Sequence, residues 1–127
     1  MSKGTWARNG VLNATLNGAS FVVTTPYIAL HSGDPGLAGA NELSGGGYGR
    51  VNGSACFPDA AAGSCANDAV VTYGTATGDW TEATYFSVWD APTGGNFVRG
   101  AVLTTPRTVL NGDTARFSVG ALVFNET

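Results

Sequence analysis

The residue types that perform most enzyme chemistry are scarce in this sequence. His31 is the only histidine, and a serine or cysteine nucleophile needs such a base beside it. Its neighbours Ser32 and Asp34 lie too close along the chain to converge on it, because adjacent residues of an extended segment point apart. No Gly-x-Ser-x-Gly elbow is present. We therefore expect that the protein is not an enzyme, and that His31 lies at a strand end and fixes the adjacent loop by hydrogen bonding.

The nine acidic residues do not form a recognisable acid–base or metal-binding motif. Most of them fall at turns predicted from the sequence, where an aspartate side chain commonly bonds to the backbone. Asp34 and Glu42 lie in one long loop and have the oxygen chemistry that suits calcium, but the EF-hand spacing is absent. We expect no metal ion and no cofactor.

Two cysteines, Cys56 and Cys65, bracket the small-residue segment Phe-Pro-Asp-Ala-Ala-Ala-Gly-Ser. Two thiols cannot complete a zinc site without further ligands, and the chain has a single histidine. A disulfide would close this short loop if the mature protein works in an oxidising environment, whereas the cytosol keeps thiols reduced. A disulfide and two unpaired thiols are both compatible with the sequence.

A long glycine-rich stretch covers residues 32–49, with seven glycines and Pro35. It leads into Gly-Gly-Gly-Tyr-Gly-Arg at 45–50, which invites comparison with a phosphate-binding loop. A Walker loop needs Gly-Lys-Ser/Thr at the start of a helix, and neither is found here. Long loops in compact domains tend to be functional, so we interpret the glycines as flexible backbone in a loop that faces a partner.

The composition excludes several classes of protein. The length of 127 residues is typical of a single domain. Charged residues make up only 12%, the net charge is −3, and the six basic residues are scattered along the sequence. Nucleic-acid binding depends on clustered cations, so we expect no nucleic-acid partner. Apolar runs are far shorter than the ~20 residues of a spanning helix, and no signal segment is evident. We expect no membrane partner and synthesis in the cytoplasm.

The elements that position these residues are predicted to be short strands. Apolar spacing over residues 6–16, followed by Gly18, predicts one short helix. Apolar and β-branched runs bounded by turn residues predict strands at 27–31, 48–52, 69–73, 83–90, 97–103, 108–110, 114–119 and 121–125. Residues 90–96 and 111–113 have turn chemistry. We expect Thr-Thr-Pro at 104–106 to end one strand, and the last two strands to form a pair.

This pattern indicates an all-β, single-domain fold. Seven or so short strands with frequent turns are typical of a β-sandwich or jelly roll, here with a short N-terminal helix and long Gly-rich loops. We interpret residues 1–26 as an N-terminal arm with the helix, and residues 27–127 as the β-sandwich domain.

Two motifs in the first half of the chain carry a family resemblance. They are Tyr-Ile-Ala-Leu-His-Ser-Gly-Asp-Pro-Gly at 27–36 and Ala-Asn-Glu-Leu-Ser-Gly-Gly-Gly-Tyr-Gly-Arg at 40–50. Together with Trp-Asp-Ala-Pro-Thr-Gly-Gly-Asn at 89–96 and Gly-Asp-Thr-Ala-Arg-Phe at 112–117, they make the sequence similar to a family of small virion proteins of tailed bacteriophages. The segment from Cys56 to Cys65 departs from that family's pattern.

The resemblance implies a structural part of a virion. Family members are described as head-decoration, minor tail or tail-fibre proteins. Our preferred interpretation is a capsid cement (decoration) protein, with the major capsid protein as partner and a homotrimer as the favoured oligomer. Such a protein stabilises the shell because it binds the assembled lattice and not the free subunits. The alternative is a tail or tail-fibre component that contacts the host surface.

Under the preferred interpretation, the long loop and the N-terminal segment form the partner interface. The loop side chains expected to make contact are Asp34, Asn41, Glu42, Tyr48 and Arg50. Deletion of Gly45–Gly47 is expected to abolish capsid binding and to leave the fold intact.

Overall fold

The computed structural model describes residues 2–126. In chain order, these residues form β1 (Ser2–Lys3), α1 (Thr5–Leu16), β2 (Tyr27–His31), β3 (Val51–Asn52), β4 (Ser64–Ala66), β5 (Val71–Thr72), β6 (Ala83–Trp89), β7 (Phe97–Arg107), β8 (Arg116–Phe117) and β9 (Val123–Asn125). Every strand pairing is antiparallel. The helix matches the range of residues 6–16 predicted from the sequence, except that it begins one residue earlier, at Thr5.

The main sheet has five strands in the order β1-β7-β6-β2-β3. Its centre is the predicted hairpin of β6 and β7. The Asp90 carboxylate closes the turn of this hairpin, because it accepts hydrogen bonds from the backbone and side-chain N–H groups of Asn96 at 2.7 and 2.9 Å. These bonds hold the pKa of Asp90 below its usual range.

Two small sheets, β4-β9 and β5-β8, contribute the opposite side of the core. The main cluster of buried residues joins Ile28 and Phe86 of the main sheet to Phe117 and Phe124 of the small sheets. This packing of antiparallel sheets around one core confirms the all-β, single-domain class. The jelly-roll connectivity stays a prediction.

The other face of the main sheet is covered by the long loop. Ala29, Trp89 and Phe97 form a second buried cluster there. Gly39 lies so close to the Trp89 ring that a Cβ atom would overlap it, which explains a glycine at this position. Residues 32–41 are therefore a packed layer over the sheet.

Helix α1 lies at the edge of the molecule and buries only Ala7 fully. Asn17 caps its C-terminus with a backbone N–H bond to Asn13, and Gly18 follows with a φ of +72°. A glycine in the left-handed region is a common helix stop, as the sequence predicted.

Three strand predictions at the C-terminal half are wrong in detail. β7 continues through Pro106 to Arg107, because the register shifts next to Ala83 and a proline is tolerated at such an irregular strand end. Residues 108–110 form no strand. The last two strands do not pair with each other, since β8 pairs with β5 and β9 with β4.

Candidate functional site

Three of the five expected interface residues form a network inside the molecule. The Glu42 carboxylate accepts two hydrogen bonds from the Arg50 guanidinium, both at 2.9 Å, and one from the Tyr48 hydroxyl at 2.8 Å. The Arg50 side chain is only 6% exposed and that of Glu42 only 22%. This is a bidentate ion pair in a largely dry setting, which is the strong form of the interaction.

Arg50 also ties the long loop to the β6–β7 turn. Its Nη1 donates to the carbonyl oxygens of Ala91 at 2.9 Å and Gly94 at 2.8 Å, and its guanidinium lies 3.9 Å from the centre of the Trp89 ring. The residue therefore contributes most of its donors, and its planar face, to contacts within the chain.

Tyr48 completes the network from the other side. Its hydroxyl accepts the N–H of Leu30 at 3.0 Å while it donates to Glu42. Burial raises the pKa of Tyr48 far above its usual range. Burial also acts to raise the pKa of Glu42, but the hydrogen bonds and charge of Arg50 and the bond from Tyr48 outweigh it, so that this pKa is lowered.

The other two expected residues, Asp34 and Asn41, are exposed and separate from this network. The Asp34 carboxylate accepts the N–H of Gly36 at 2.8 Å, and the Asn41 amide donates to the Asp34 carbonyl at 3.0 Å. Both bonds shape the loop itself. No observation places any of the five residues against a partner, and the interface stays a prediction.

The glycine triplet forms a hydrogen-bonded turn, and the flexible, partner-facing role predicted for it stays a prediction. Gly45, Gly46 and Gly47 all have positive φ, at 76°, 58° and 75°. The Gly46 carbonyl accepts bonds from the Trp80 indole at 2.7 Å and the Thr77 N–H at 2.9 Å. Deletion of the triplet would remove these bonds, so a variant without it is not expected to keep the fold.

His31 has a partner that its sequence neighbours did not reveal. Its Nε2 accepts the hydroxyl of Ser87 at 2.7 Å, and its Nδ1 donates to the Ala40 carbonyl at 2.7 Å. The Trp89 indole donates to the same Ser87 oxygen at 3.0 Å. The serine–histidine order resembles a catalytic pair, but both side chains are fully buried, which denies access to a substrate. The bond to Ala40 anchors the long loop, as expected for His31.

Burial makes His31 a neutral residue. Loss of solvent lowers the pKa of His31, while the bond to Ala40 and the charge of Glu42 act in the opposite direction without offsetting it. In the neutral ring, the Nδ1 proton is donated to the Ala40 carbonyl and Nε2 accepts the proton of the Ser87 hydroxyl.

The cysteines are both free thiols in the structure. Cys65 lies on β4, and its Sγ donates to the Pro58 carbonyl at 3.3 Å. Burial is the first cause of a raised pKa of Cys65, and the charges of Asp68 and Asp59 add to it. A raised pKa keeps a thiol protonated and unreactive. Among residues 2–126, no group of three His, Cys, Asp or Glu side chains is placed to hold a metal ion.

The basic residues, scattered in the sequence, are brought together by the fold. Lys3 on β1 is paired in register with Arg99 on β7, and the Arg8 side chain donates to the Lys3 carbonyl. At the far end of β7, Arg107 donates to the Arg116 carbonyl. Five of the six basic residues thus lie near β7, with Lys3, Arg8 and Arg99 near its start and Arg107 and Arg116 at its end. We call this set the basic stripe. Sequence reasoning missed this stripe because it depends on strand pairing.

A family model matches the sequence over nearly its whole length. The family model described as podophage GP4 fiber I protein gp80 matches residues 2–125, which is nearly the whole chain. No curated protein matches the sequence. Within the part of the chain that the structure describes, no helix has the length and apolar character to cross a membrane.

Proposed function

The chain belongs to the podophage GP4 fiber I protein gp80 family and is a tailed-phage structural protein, and from this premise we propose that it is a subunit of a tail fibre. The observation that carries the proposal is the family match, which covers residues 2–125. A family described by a fibre protein supports the tail-fibre alternative better than the preferred interpretation as capsid cement. The major capsid protein accordingly has no place as a partner in this proposal.

The geometry of the molecule suits a mechanical part. The long loop is held to the sheet by buried or half-buried side chains, among them His31 and Arg50. A rigid subunit loses little conformational entropy when it docks against neighbours. We propose that the protein acts by binding and not by catalysis, and that it works as a homo-oligomer, with a trimer as the first state to test.

Antibody labelling of intact particles tests the location. Gold-labelled antibodies against the purified protein are expected to mark the tail region in negative-stain images. A matched serum against the major capsid protein should mark the shell of the same particles. Labelling that follows the shell would overturn the fibre proposal and restore the cement interpretation.

The native mass of the purified protein tests the oligomer. Light scattering is expected to give about three times the chain mass of 12.9 kDa. A mass near 12.9 kDa at every concentration would contradict a stable trimer in solution, whatever the location on the particle.

A further inference from the structure

The long strand β7 is covered along only a small part of its outer edge. β6 pairs with its inner side from Phe97 to Val102 and again at Arg107, with a register shift between these two parts. On the outer side, β1 pairs with it only at Arg99 and Gly100, and the chain then turns into α1. Within the described residues, Ala101–Arg107 has no strand partner on this side.

The direction of the backbone groups can be read from one bond. The Val98 carbonyl accepts the Gly4 N–H at 2.8 Å on the outer side. β1 pairs with Gly100 in the same ladder, and backbone groups alternate along a regular strand, so those of Gly100 and Val102 face the same way. Beyond Gly100, the edge therefore presents the N–H and C=O groups of Val102 to a further strand, before the register shift that follows Val102.

The surface around this edge is open and partly apolar. Val102 is 63% exposed and Val119 is 61% exposed, and Thr104 and Thr105 are exposed between them. A groove of about 330 Å³ lies between Leu103–Arg107 and residues 117–121. Natural proteins usually cover or charge a strand edge of this kind, so an exposed one marks a place where a partner strand is added.

The positive charge near this edge favours an acidic partner. No carboxylate among residues 2–126 lies within 4.0 Å of a basic nitrogen of Arg8, Arg107 or Arg116. Lys3 and Arg99 share one carboxylate, that of Glu126. The stripe therefore has an excess of positive charge on a protein whose net charge is −3.

We propose that the free edge of β7 binds an extended, acidic segment of another virion protein as an added β-strand. The segment forms backbone bonds with Val102 next to the end of β1 and runs past the exposed Thr104 and Thr105, and its carboxylates face Arg107 and Arg116. Pro106 has no N–H to donate, so it limits the added strand at this end. Strand addition of this kind obtains affinity from the main chain and selectivity from the side chains.

A second copy of the chain is a poorer occupant for the same edge. A two-fold pairing of β7 with β7 would place the same positive stripe on both sides of the contact, and like charges opposite each other destabilise paired strands. The inference rests on the chain being a virion part; it does not depend on whether that part is the tail or the shell.

Photo-cross-linking in the assembled particle tests the inference. Thr104 is replaced by p-benzoylphenylalanine, and the exposed Ser54 beyond β3, at the opposite edge of the sheet, carries the same group as a matched control. The Thr104 probe is expected to form one cross-linked product, mapped by mass spectrometry to an acidic, extended segment of another virion protein. A cross-link to a second copy, to a segment without carboxylates, or to nothing would overturn it.

A charge variant provides an independent measurement that does not disturb packing. Arg116 is exposed and its side chain forms no hydrogen bond with the described residues, so Arg116→Glu should fold normally, as checked by its melting temperature. Its incorporation into particles is expected to fall about tenfold. Ser54→Glu, which places a new carboxylate at the opposite edge and changes the net charge by one unit against two for Arg116→Glu, is expected to be incorporated like the wild type. Equal incorporation of both variants contradicts the inference. Antibody labelling tests the fibre location separately, so failure of one proposal is distinguishable from failure of the other.

Discussion

At the scale of single residues, Arg50 joins three parts of the chain that are distant in sequence. It binds Glu42 in the long loop, the carbonyls of Ala91 and Gly94 in the β6–β7 turn, and the face of Trp89. Lysine has the same charge but a single ammonium group, which cannot form this set of bonds together. The identity of the residue therefore matters more than its charge.

We predict that Arg50→Lys lowers the free energy of unfolding by about 3 kcal/mol, because several charge-assisted hydrogen bonds are lost at a nearly buried site. Arg8→Lys is the matched control. Arg8 is exposed and donates only to the Lys3 carbonyl, so the change should cost less than about 0.5 kcal/mol. Urea denaturation measures both variants. An equal loss of unfolding free energy in the two variants would show that the network around Arg50 contributes no more to stability than the single bond of Arg8.

His31 makes stability depend on pH. In the unfolded chain a histidine takes up a proton near pH 6.5, whereas the folded protein resists protonation because the pKa of His31 is lowered. As pH falls below about 6.5, the unfolded state binds more protons, and the free energy of unfolding decreases. The decrease stops below the folded-state pKa. Glu42, whose pKa is also lowered, weakens the fold in the same direction only at lower pH.

Urea midpoints measured from pH 8 to pH 5 test this prediction. The wild type is expected to lose stability between pH 6.5 and pH 5. His31→Gln should be less stable at pH 8, because a buried network is altered, but its midpoint should be nearly flat across that interval. An identical slope in the two proteins would mean that other groups cause the pH dependence.

At the scale of elements, the glycine triplet acts as a left-handed turn that holds the long loop against Trp80. A Cβ at Gly46 would lie 2.8 Å from the Gly78 carbonyl oxygen and 2.9 Å from the Trp80 ring. A Cβ at Gly45, with a similar φ, meets nothing within 4 Å. Alanine at position 45 therefore tests backbone strain alone, whereas alanine at position 46 tests backbone strain together with steric overlap.

We predict that Gly45→Ala costs about 1 kcal/mol, the usual penalty for a left-handed alanine. Gly46→Ala should cost about 3 kcal/mol, because overpacking adds to that penalty and the bond from the Trp80 indole to the Gly46 carbonyl is disturbed. Thermal and urea unfolding compare the two. If both variants lose the same stability, the close approach at Gly46 has no energetic consequence.

The elements that the sequence predicted well are those with local signals. Residues 27–31 form an apolar run between Pro26 and Gly33, and the helix has apolar spacing with Gly18 behind it, so each is defined by its own neighbourhood. The predictions failed where the pairing of a strand depends on residues that are distant in sequence. β8 pairs with β5, about 44 positions away (Thr72 with Arg116), and no local sequence pattern predicts this pairing.

The same limit applies to the candidate sites. The sequence analysis grouped Glu42, Tyr48 and Arg50 with Asp34 and Asn41 as interface residues, but the partners of Arg50 in the β6–β7 turn lie more than 40 residues further along the chain. Without those contacts, a set of polar residues in a glycine-rich loop suggests an exposed interface. The structure shows that the set mainly fixes the loop.

At the scale of the whole molecule, the N-terminal arm is a cover and not a part of the core. Neither buried cluster includes a residue before Ile28. The arm contributes two residues of β1 beside β7, a helix with one fully buried side chain, and the packing of Gly4 against Phe97. The two buried clusters are formed without it, and the division of the chain near residue 26 stays a prediction.

We therefore predict that a fragment of residues 27–127 folds, with dispersed amide signals in its NMR spectrum and a lower melting temperature than the full chain. Loss of the arm uncovers the outer side of β7 from Val98 onward and removes Lys3 and Arg8 from the basic stripe. Less positive charge then opposes the pairing of two copies, and a long unpaired edge promotes association. The fragment should associate at lower concentration than the full chain in sedimentation experiments. Val102→Lys should reduce this association, because a lysine on the edge repels a second copy of a positive strand. An unfolded fragment would show that the arm belongs to the folding unit, and a folded fragment that stays dispersed would show that the edge of β7 is protected by something other than β1.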